Sequence, residues 1–180
     1  MAILDYQALF AEHHQGNARY IHMLSKATPS DRDAAISDDD RDKLKDALSK
    51  SSKHQGNITI FYGTHPAQKS VQLSQLAYQS GRTVCLIDCA ALTSKYIGET
   101  EKNIAKLIAV AENKNWILYF DEADALFAKA AAKSKETLFS ISDIVNYLSK
   151  YRGMSILNVQ HKQHVSQLEI RSDNLIVFDH

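Results

Sequence analysis

The chain has 180 residues, 44% of them apolar and 23% charged, which suffices for one α/β domain with a full core and excludes a disordered composition. Its 21 basic and 21 acidic residues balance, so no overall field attracts nucleic acid or an anionic membrane, and we expect neither as a partner. The N-terminus lacks the basic start and apolar stretch of a signal peptide, and no later segment has the apolar length of a membrane span, which predicts a cytoplasmic protein.

Residues 1–54 have a helical pattern and are predicted to form an N-terminal helical region beside a core over residues 55–180. The apolar residues at helical spacing are Leu4, Leu9 and Phe10 in one stretch, and Tyr20, Ile21 and Leu24 in the next. After Pro29 a third helix is predicted, with Ser37 as its N-cap and the carboxylates of residues 38–40 in its first turn.

From residue 57 onward, short apolar runs alternate with amphipathic stretches, the pattern of βαβ units and a mostly parallel sheet. Five strands are predicted, at residues 58–62, 83–88, 116–120, 154–159 and 175–178. Helices are predicted near residues 70–79, 99–112 and 139–150, the first closed by Gly81.

Cysteine and histidine are read as structural residues. Cys85 and Cys89 fall on or beside one apolar run, so both are predicted to be core residues. A metal site is the alternative for the histidines, above all for His13, His14, His161 and His164. No cysteine or carboxylate cluster accompanies them at ligand spacing, which favours solvated histidines.

The first predicted strand runs into an octapeptide that matches the phosphate-loop pattern GxxxxGK[ST] at every position but one. The candidate nucleotide-binding residues are Gly63, Thr64, His65, Pro66, Ala67, Gln68, Lys69 and Ser70. Lys69 can reach phosphate oxygens and Ser70 can bind Mg²⁺, so ATP and Mg²⁺ are the predicted cofactors. Gln68 replaces a glycine that lets backbone approach phosphate, and Pro66 has no N–H to donate, so weak or absent ATP binding is expected. Taken alone, the octapeptide is also compatible with an ordinary loop.

The predicted strand at residues 116–120 ends in two adjacent carboxylates, Asp121 and Glu122. Open α/β sheets bind their ligands at the carboxyl ends of their strands. Asp121 is predicted to hold Mg²⁺ through water, and Glu122 to orient and deprotonate the attacking water of a phosphoryl transfer. A strand that ends in a polar turn is the alternative interpretation.

Two segments carry a resemblance to AAA+ ATPases. Residues 120–127 resemble their Walker B segment, and residues 92–104 resemble their first pore loop and the helix after it. The pore-loop residues are Lys95, Tyr96, Ile97 and Gly98, with Tyr96 matching the aromatic that grips a protein substrate in a hexamer's channel. The resemblance covers about residues 57–178 and implies a five-stranded parallel sheet flanked by helices, its first strand central, with ATP at the carboxyl edge. It also implies a homo- or hetero-oligomer with a protein partner or substrate. Tyr147, Leu148 and residues 151–153 further resemble the branch linked to phage-tail-like contractile systems.

The chain departs from this family in three catalytic parts. Gln160 stands where the family has a polar sensor, usually asparagine, that positions the lytic water. Arg171 remains from the double-arginine pattern, while Ser172 stands at the position of the arginine finger. The sequence stops at His180, before the helical lid of the family, so either the protein is a degenerate relative or the chain is cut before the lid.

Two functions therefore stay open. One is an ATP-binding module with weak or lost hydrolysis in a protein-remodelling oligomer, supported by Lys69, Ser70, Tyr96 and the two carboxylates. The other is a pseudo-ATPase that serves as a structural or regulatory interaction module. A small-molecule kinase is a distant third, because no site for a phosphoacceptor is visible.

Overall fold

A seven-stranded sheet forms the centre of the computed structural model, which describes residues 2–4, 21–25, 35–90, 97–130 and 141–178. The strands are β1 (Ala2–Leu4), β2 (Ile21–Ser25), β3 (Asn57–Tyr62), β4 (Val84–Asp88), β5 (Ile117–Asp121), β6 (Met154–Val159) and β7 (Asn174–Val177). Across the sheet they follow the order β1-β2-β4-β5-β6-β3-β7. Among the described residues, no helix is long and apolar enough to cross a membrane.

The five predicted strands are confirmed, and β4, β5, β6, β3 and β7 run parallel to one another. Their apolar runs are continuous because parallel strands are covered by helices on both faces. The expectation that the first of them is central was wrong. β6 inserts between β3 and β5, and of the described strands β7 alone lies on the other side of β3. The phosphate-loop strand and the acidic strand are therefore separated by one strand.

The helical prediction for the first two stretches was wrong where the structure describes them. Leu4 lies in β1, and Ile21 and Leu24 lie in β2, which pairs antiparallel with β4. The buried side chains of Ile21 and Met23 are two residues apart, which is the period of a strand. The edge of β4 offers backbone hydrogen-bond partners to β2, and the spacing of apolar residues in the sequence does not reveal them. The division of the chain at residue 54 stays a prediction.

Helices cover both faces of the sheet. They are α1 (Asp38–Ser52), α2 (Pro66–Ser80), α3 (Ile97–Lys114), α4 (Asp124–Ala130), α5 (Ile141–Lys150) and α6 (Lys162–Leu168), followed by a 3₁₀ turn at Glu169–Arg171. The predicted cap of α1 is confirmed, since the Ser37 side chain accepts the N–H of Asp40. The predicted end of α2 is confirmed as well, with Gly81 in the left-handed region at φ 64°. The two short helices, α4 and α6, were not predicted.

The core has two halves, one on each face of the sheet. The half under α1 and α2 contains Phe61, Leu76 and Ile156, and the other half packs under α3 to α6. Cys85 and Cys89 are fully buried, which confirms them as core residues. Burial raises the pKa of the Cys85 thiol to about 12. Both cysteines are therefore neutral, small apolar residues in the core.

Candidate functional site

The carboxyl ends of the parallel strands meet at one edge of the sheet. Tyr62 at the end of β3 pairs with Val159 on β6 and with Val177 on β7, while Asp121 at the end of β5 pairs with Asp88 on β4. The phosphate-loop candidate follows β3 and the acidic pair stands at the end of β5. Both predicted parts of the site therefore lie at the same edge, the one where open α/β sheets bind ligands.

The phosphate-loop candidate is shorter than its sequence suggests. α2 begins at Pro66, so only Gly63, Thr64 and His65 connect it to β3. The N–H of Lys69 donates to the carbonyl of His65 at 3.2 Å and is already part of the helix. Proline fits the first helical position because its missing N–H needs no partner there. Gln68 thus lies in the first turn of a helix rather than in a loop.

Lys69 is buried, with 3% of its surface exposed, and points into the site. Its ammonium donates to the carbonyl of Gly63 and to Oδ1 of Asn158, each at 2.5 Å. The side-chain amide of Asn158 then donates to Oδ1 of Asp121 at 2.7 Å. One asparagine on the intervening strand therefore joins the candidate phosphate-binding lysine to the candidate magnesium ligand. A buried ammonium without such partners would be strongly destabilising.

Glu122 has a backbone conformation that is rare for its residue type. Its φ is 52°, in the left-handed region, and its N–H donates to Oδ1 of Asp121 at 3.0 Å. A non-glycine residue pays about 1–2 kcal/mol for this conformation. Glu122 is exposed and directly follows the last residue of β5. Strain of this kind concentrates at functional positions.

Asp124 connects the acidic turn to the loop after β6. Its carboxylate accepts the N–H groups of Gln160 at 2.8 Å and His161 at 3.2 Å, and lies 2.7 Å from Nδ1 of His164. The ring of His164 stacks on Phe127 with centroids 4.0 Å apart. The prediction of a solvated His164 was therefore wrong, because the Asp124 carboxylate supplies it with a protein partner. Gln160 has an exposed side chain and is fixed through its backbone.

Among the described residues, carboxylates outnumber lysine and arginine side chains around the ends of β4 and β5. Burial raises the pKa of the Cys89 thiol well above 9.0, and the carboxylates of Asp121, Asp88, Glu122 and Asp124 raise it further. In the described part of the chain, the Lys69 ammonium is connected to one of these carboxylates, that of Asp121, through Asn158. Such an edge attracts a divalent cation and repels a bare polyphosphate.

The remaining candidate residues lie elsewhere or cannot be placed. Arg171 is exposed three residues before β7 begins, at the amino edge of the sheet, with Nη1 at 3.5 Å from Oδ1 of Asn146. Ser172 follows it and donates to the carbonyl of Glu169. Lys95 and Tyr96 lie outside the described residues. Ile97 and Gly98 are the first two residues of α3.

The charged and oxygen-bearing side chains at the carboxyl edge match the charges of a magnesium phosphate. Ser70 is the fifth residue of α2 and is exposed, and its hydroxyl and the Asp121 carboxylate are the hard oxygen ligands that Mg²⁺ prefers. Among the described residues, no group of three or more histidine, cysteine or acidic side chains could hold a metal on its own. That is the usual situation for Mg²⁺, which keeps waters and substrate phosphates as ligands. The backbone N–H groups that would bind the phosphate are the weak part of this site, because Pro66 has no N–H and the loop is short.

Sequence reasoning did not single out Asn158; it named Gln160 as the amide of the site, and that stays a prediction. A signal was present, since Asn158 is an amide near the end of a mostly apolar strand that is buried along its whole length. A buried asparagine in such a strand requires partners for both ends of its amide. Here those partners are Lys69 and Asp121.

The comparisons with known proteins agree with this geometry. The family model described as "ATPase family associated with various cellular activities (AAA)" matches residues 59–167, more than half of the chain. Spastin of Ixodes scapularis is 37% identical over 71 residues, 39% of this chain and 11% of the relative. Spastin of Dictyostelium discoideum is 32% identical over 78 residues, 43% of this chain and 12% of the relative. Fidgetin-like protein 1 of Drosophila melanogaster is 28% identical over 85 residues, 47% of this chain and 16% of the relative. The matched segments are thus a small part of these longer proteins.

Proposed function

The chain belongs to the AAA family of ATPases, and from this premise we propose that its domain binds ATP with Mg²⁺ weakly at the carboxyl edge of the sheet. Hydrolysis is weak or lost. The domain acts in the cytoplasm within a homo- or hetero-oligomer that remodels a protein. The resemblance to the contractile-system branch stays part of this proposal.

The observation that carries the proposal is the chain of hydrogen bonds from Lys69 through Asn158 to Asp121. It supports a single locus for a phosphate and its cation, held from one helix and two strands. Lys69 would bind phosphate oxygens, while Ser70 and Asp121 would hold Mg²⁺, and Glu122 would orient a water. When bound, Mg²⁺ neutralises phosphate charge at an edge that is otherwise acidic. Binding is therefore expected to require the cation.

The weakness of binding follows from the phosphate loop. A phosphate loop depends on successive backbone N–H groups, and here one is absent at Pro66 and another, that of Lys69, is used within the helix. Losing a charge-assisted donor costs about 1.5–3 kcal/mol, or about tenfold or more in affinity. Affinity at least about tenfold below that of an intact phosphate loop is the expected consequence.

The oligomer is supported by the position of Arg171. Because it lies at the amino edge, it is remote from the phosphate locus of its own chain and could serve only a neighbouring subunit. The residue before it, Ile170, is 91% exposed, which is unusual for a large aliphatic side chain. Both residues stand on the 3₁₀ turn that precedes β7.

Nucleotide binding is tested by titrating the protein with a fluorescent ATP analogue in the presence and absence of Mg²⁺. The wild type should give a saturable, Mg²⁺-dependent signal that Lys69→Ala loses. Lys53→Ala, which removes an exposed lysine at the end of α1, is the matched control and should bind as the wild type does. Equal affinity of the Lys69 variant and the wild type would sink the proposed site.

Hydrolysis and assembly need separate measurements. If turnover is detected, Glu122→Gln should abolish it at nearly unchanged affinity, because that carboxylate serves the transition state. In sedimentation with Mg-ATP, Ile170→Asp should lower the oligomer mass. Tyr78→Asp changes the other exposed large apolar residue among those described, 56% exposed on α2, and should not.

A pseudo-ATPase is the second candidate. It is favoured by the same lysine, because two acceptors within the protein already bind its ammonium. Lys69 is then a structural cation that fixes the edge of the sheet for protein contacts. No signal at millimolar Mg-ATP, with a lower melting temperature in Lys69→Ala, would favour this function over the first.

A further inference from the structure

Gln68 has a partner far away in the sequence. It is the third residue of α2, at the position where the phosphate-loop pattern requires glycine. Its side-chain Oε1 accepts the backbone N–H of Ala35 at 2.8 Å, across 33 residues of sequence. The substitution that weakens the phosphate loop therefore also forms a tether to the segment that leads into α1.

The tethered segment, residues 35–37, is anchored by the two residues that follow Ala35. Ile36 is 8% exposed and packs in the core half under α1 and α2. Ser37 caps α1 through Asp40, whose buried carboxylate accepts the N–H of Val177 at 3.2 Å. Since Val177 ends β7 and pairs with the last residue of β3, this segment lies at the same carboxyl edge as the phosphate loop.

We propose that Gln68 is a positioning residue. It holds residues 35–37 against the first turn of α2 and so keeps that turn helical, a conformation that does not wrap a phosphate. To wrap a phosphate, the octapeptide must release the helical bond from Lys69 N–H to His65 and unwind the turn that begins at Pro66. Unwinding moves Gln68 and breaks its bond to Ala35. Phosphate binding and the tether therefore compete, and each weakens the other by the same factor.

This inference rests on the proposed nucleotide site. The expected coupling between the tether and nucleotide binding is that of one neutral hydrogen bond. Removing the tether should raise the affinity for Mg-ATP by between about twofold and tenfold. It should also release the segment without any nucleotide. The Ala35 amide would then exchange its hydrogen faster by a similar factor, because local opening controls exchange.

Residue-resolved hydrogen exchange by NMR, combined with Mg-ATP titration, tests the tether. Gln68→Ala should speed exchange of the Ala35 amide and tighten Mg-ATP binding. Gln68→Glu retains an acceptor oxygen and should keep Ala35 protected. Gln79→Ala removes an exposed glutamine from the last turn of α2 and should change neither measurement. Mg-ATP added to the wild type should speed exchange of Ala35.

The outcomes separate the tether from the nucleotide site. Unchanged exchange of Ala35 in Gln68→Ala would refute the tether, whatever the nucleotide data. Faster exchange together with a measurable but unchanged Mg-ATP affinity would refute the competition. Undetectable binding in both proteins would refute the proposed function, and the exchange data would still decide whether Gln68 positions the segment.

Discussion

Replacing Asn158 by leucine tests the centre of the site, because this one side chain contacts both Lys69 and Asp121. Leucine has a similar size but neither donates nor accepts. Lys69 would lose an acceptor while remaining almost fully buried, and Asp121 would lose a donor. Each hydrogen bond to a charged group contributes about 1.5–3 kcal/mol. Part of this loss is offset by the burial of apolar surface.

We therefore expect Asn158→Leu to lower the free energy of unfolding by about 3 kcal/mol, which corresponds to about 6–12 °C in melting temperature for a domain of this size. Calorimetry and urea unfolding measure both quantities. Ser155→Ala is the matched control on the same strand. The Ser155 hydroxyl is buried and has no hydrogen-bond partner among the described residues, so its removal should be neutral or stabilising.

A double-mutant cycle with Lys69→Met assigns the effect to the pair. The two substitutions should be non-additive by at least about 1 kcal/mol, because each removes the same contact. The reasoning is refuted if Asn158→Leu shifts the melting temperature no more than Ser155→Ala does. It is also refuted if the effects of the Lys69 and Asn158 variants simply add.

Three further predictions concern the same edge and the core beneath it. Asp124→Ala should speed hydrogen exchange at the amides of Gln160 and His161, because both donate to the Asp124 carboxylate. Asp124→Asn still offers an acceptor and should speed exchange less. Equal exchange in the wild type and both variants would contradict the role of Asp124 in fixing this loop. Glu122→Gly should leave the free energy of unfolding unchanged or raise it by up to about 1 kcal/mol, because glycine adopts a positive φ without strain. Glu122→Gln keeps the strain and should not raise it. A clear loss of stability in the glycine variant would show that the turn is unstrained. Because burial raises the pKa of Cys85 from 9.0 to about 12, its thiol keeps a proton in the folded state that it loses when unfolded, so stability should fall as the pH rises from about 9 toward 12. Thermal melts of Cys85→Ala should show a smaller fall in stability over this pH range than the wild type. An equal fall in the variant would assign the pH dependence to other groups.

The parallel core could be predicted from the sequence because its signals are local. Each of its five strands is mostly apolar, and the acidic pair at residues 121–122 marks where one of them ends. Ser37 and Gly81 announce helix ends through their own side-chain and backbone chemistry. These features depend on neighbours in sequence, which the sequence displays.

The features that were missed depend on partners distant in sequence. β2 forms because the edge of β4 is open to it, although its residues also fit a helical spacing. The order of β3, β6 and β5 places Asn158 between the two predicted halves of the site, and no local pattern encodes that order. α2 begins two residues before Gln68 because proline suits a first helical turn and glutamine, unlike glycine, favours continuing it.

We expect Lys69, Asn158 and Asp121 to form one locus for a magnesium phosphate. NMR of the Asn158 side-chain amide during a Mg-ATP titration tests it most directly, because that amide contacts both other residues. We expect its resonances to shift with saturation, while the side-chain amide of Asn115, in the turn after α3, stays unmoved. Saturable binding that shifts amides elsewhere and leaves the Asn158 side chain unchanged would contradict the account.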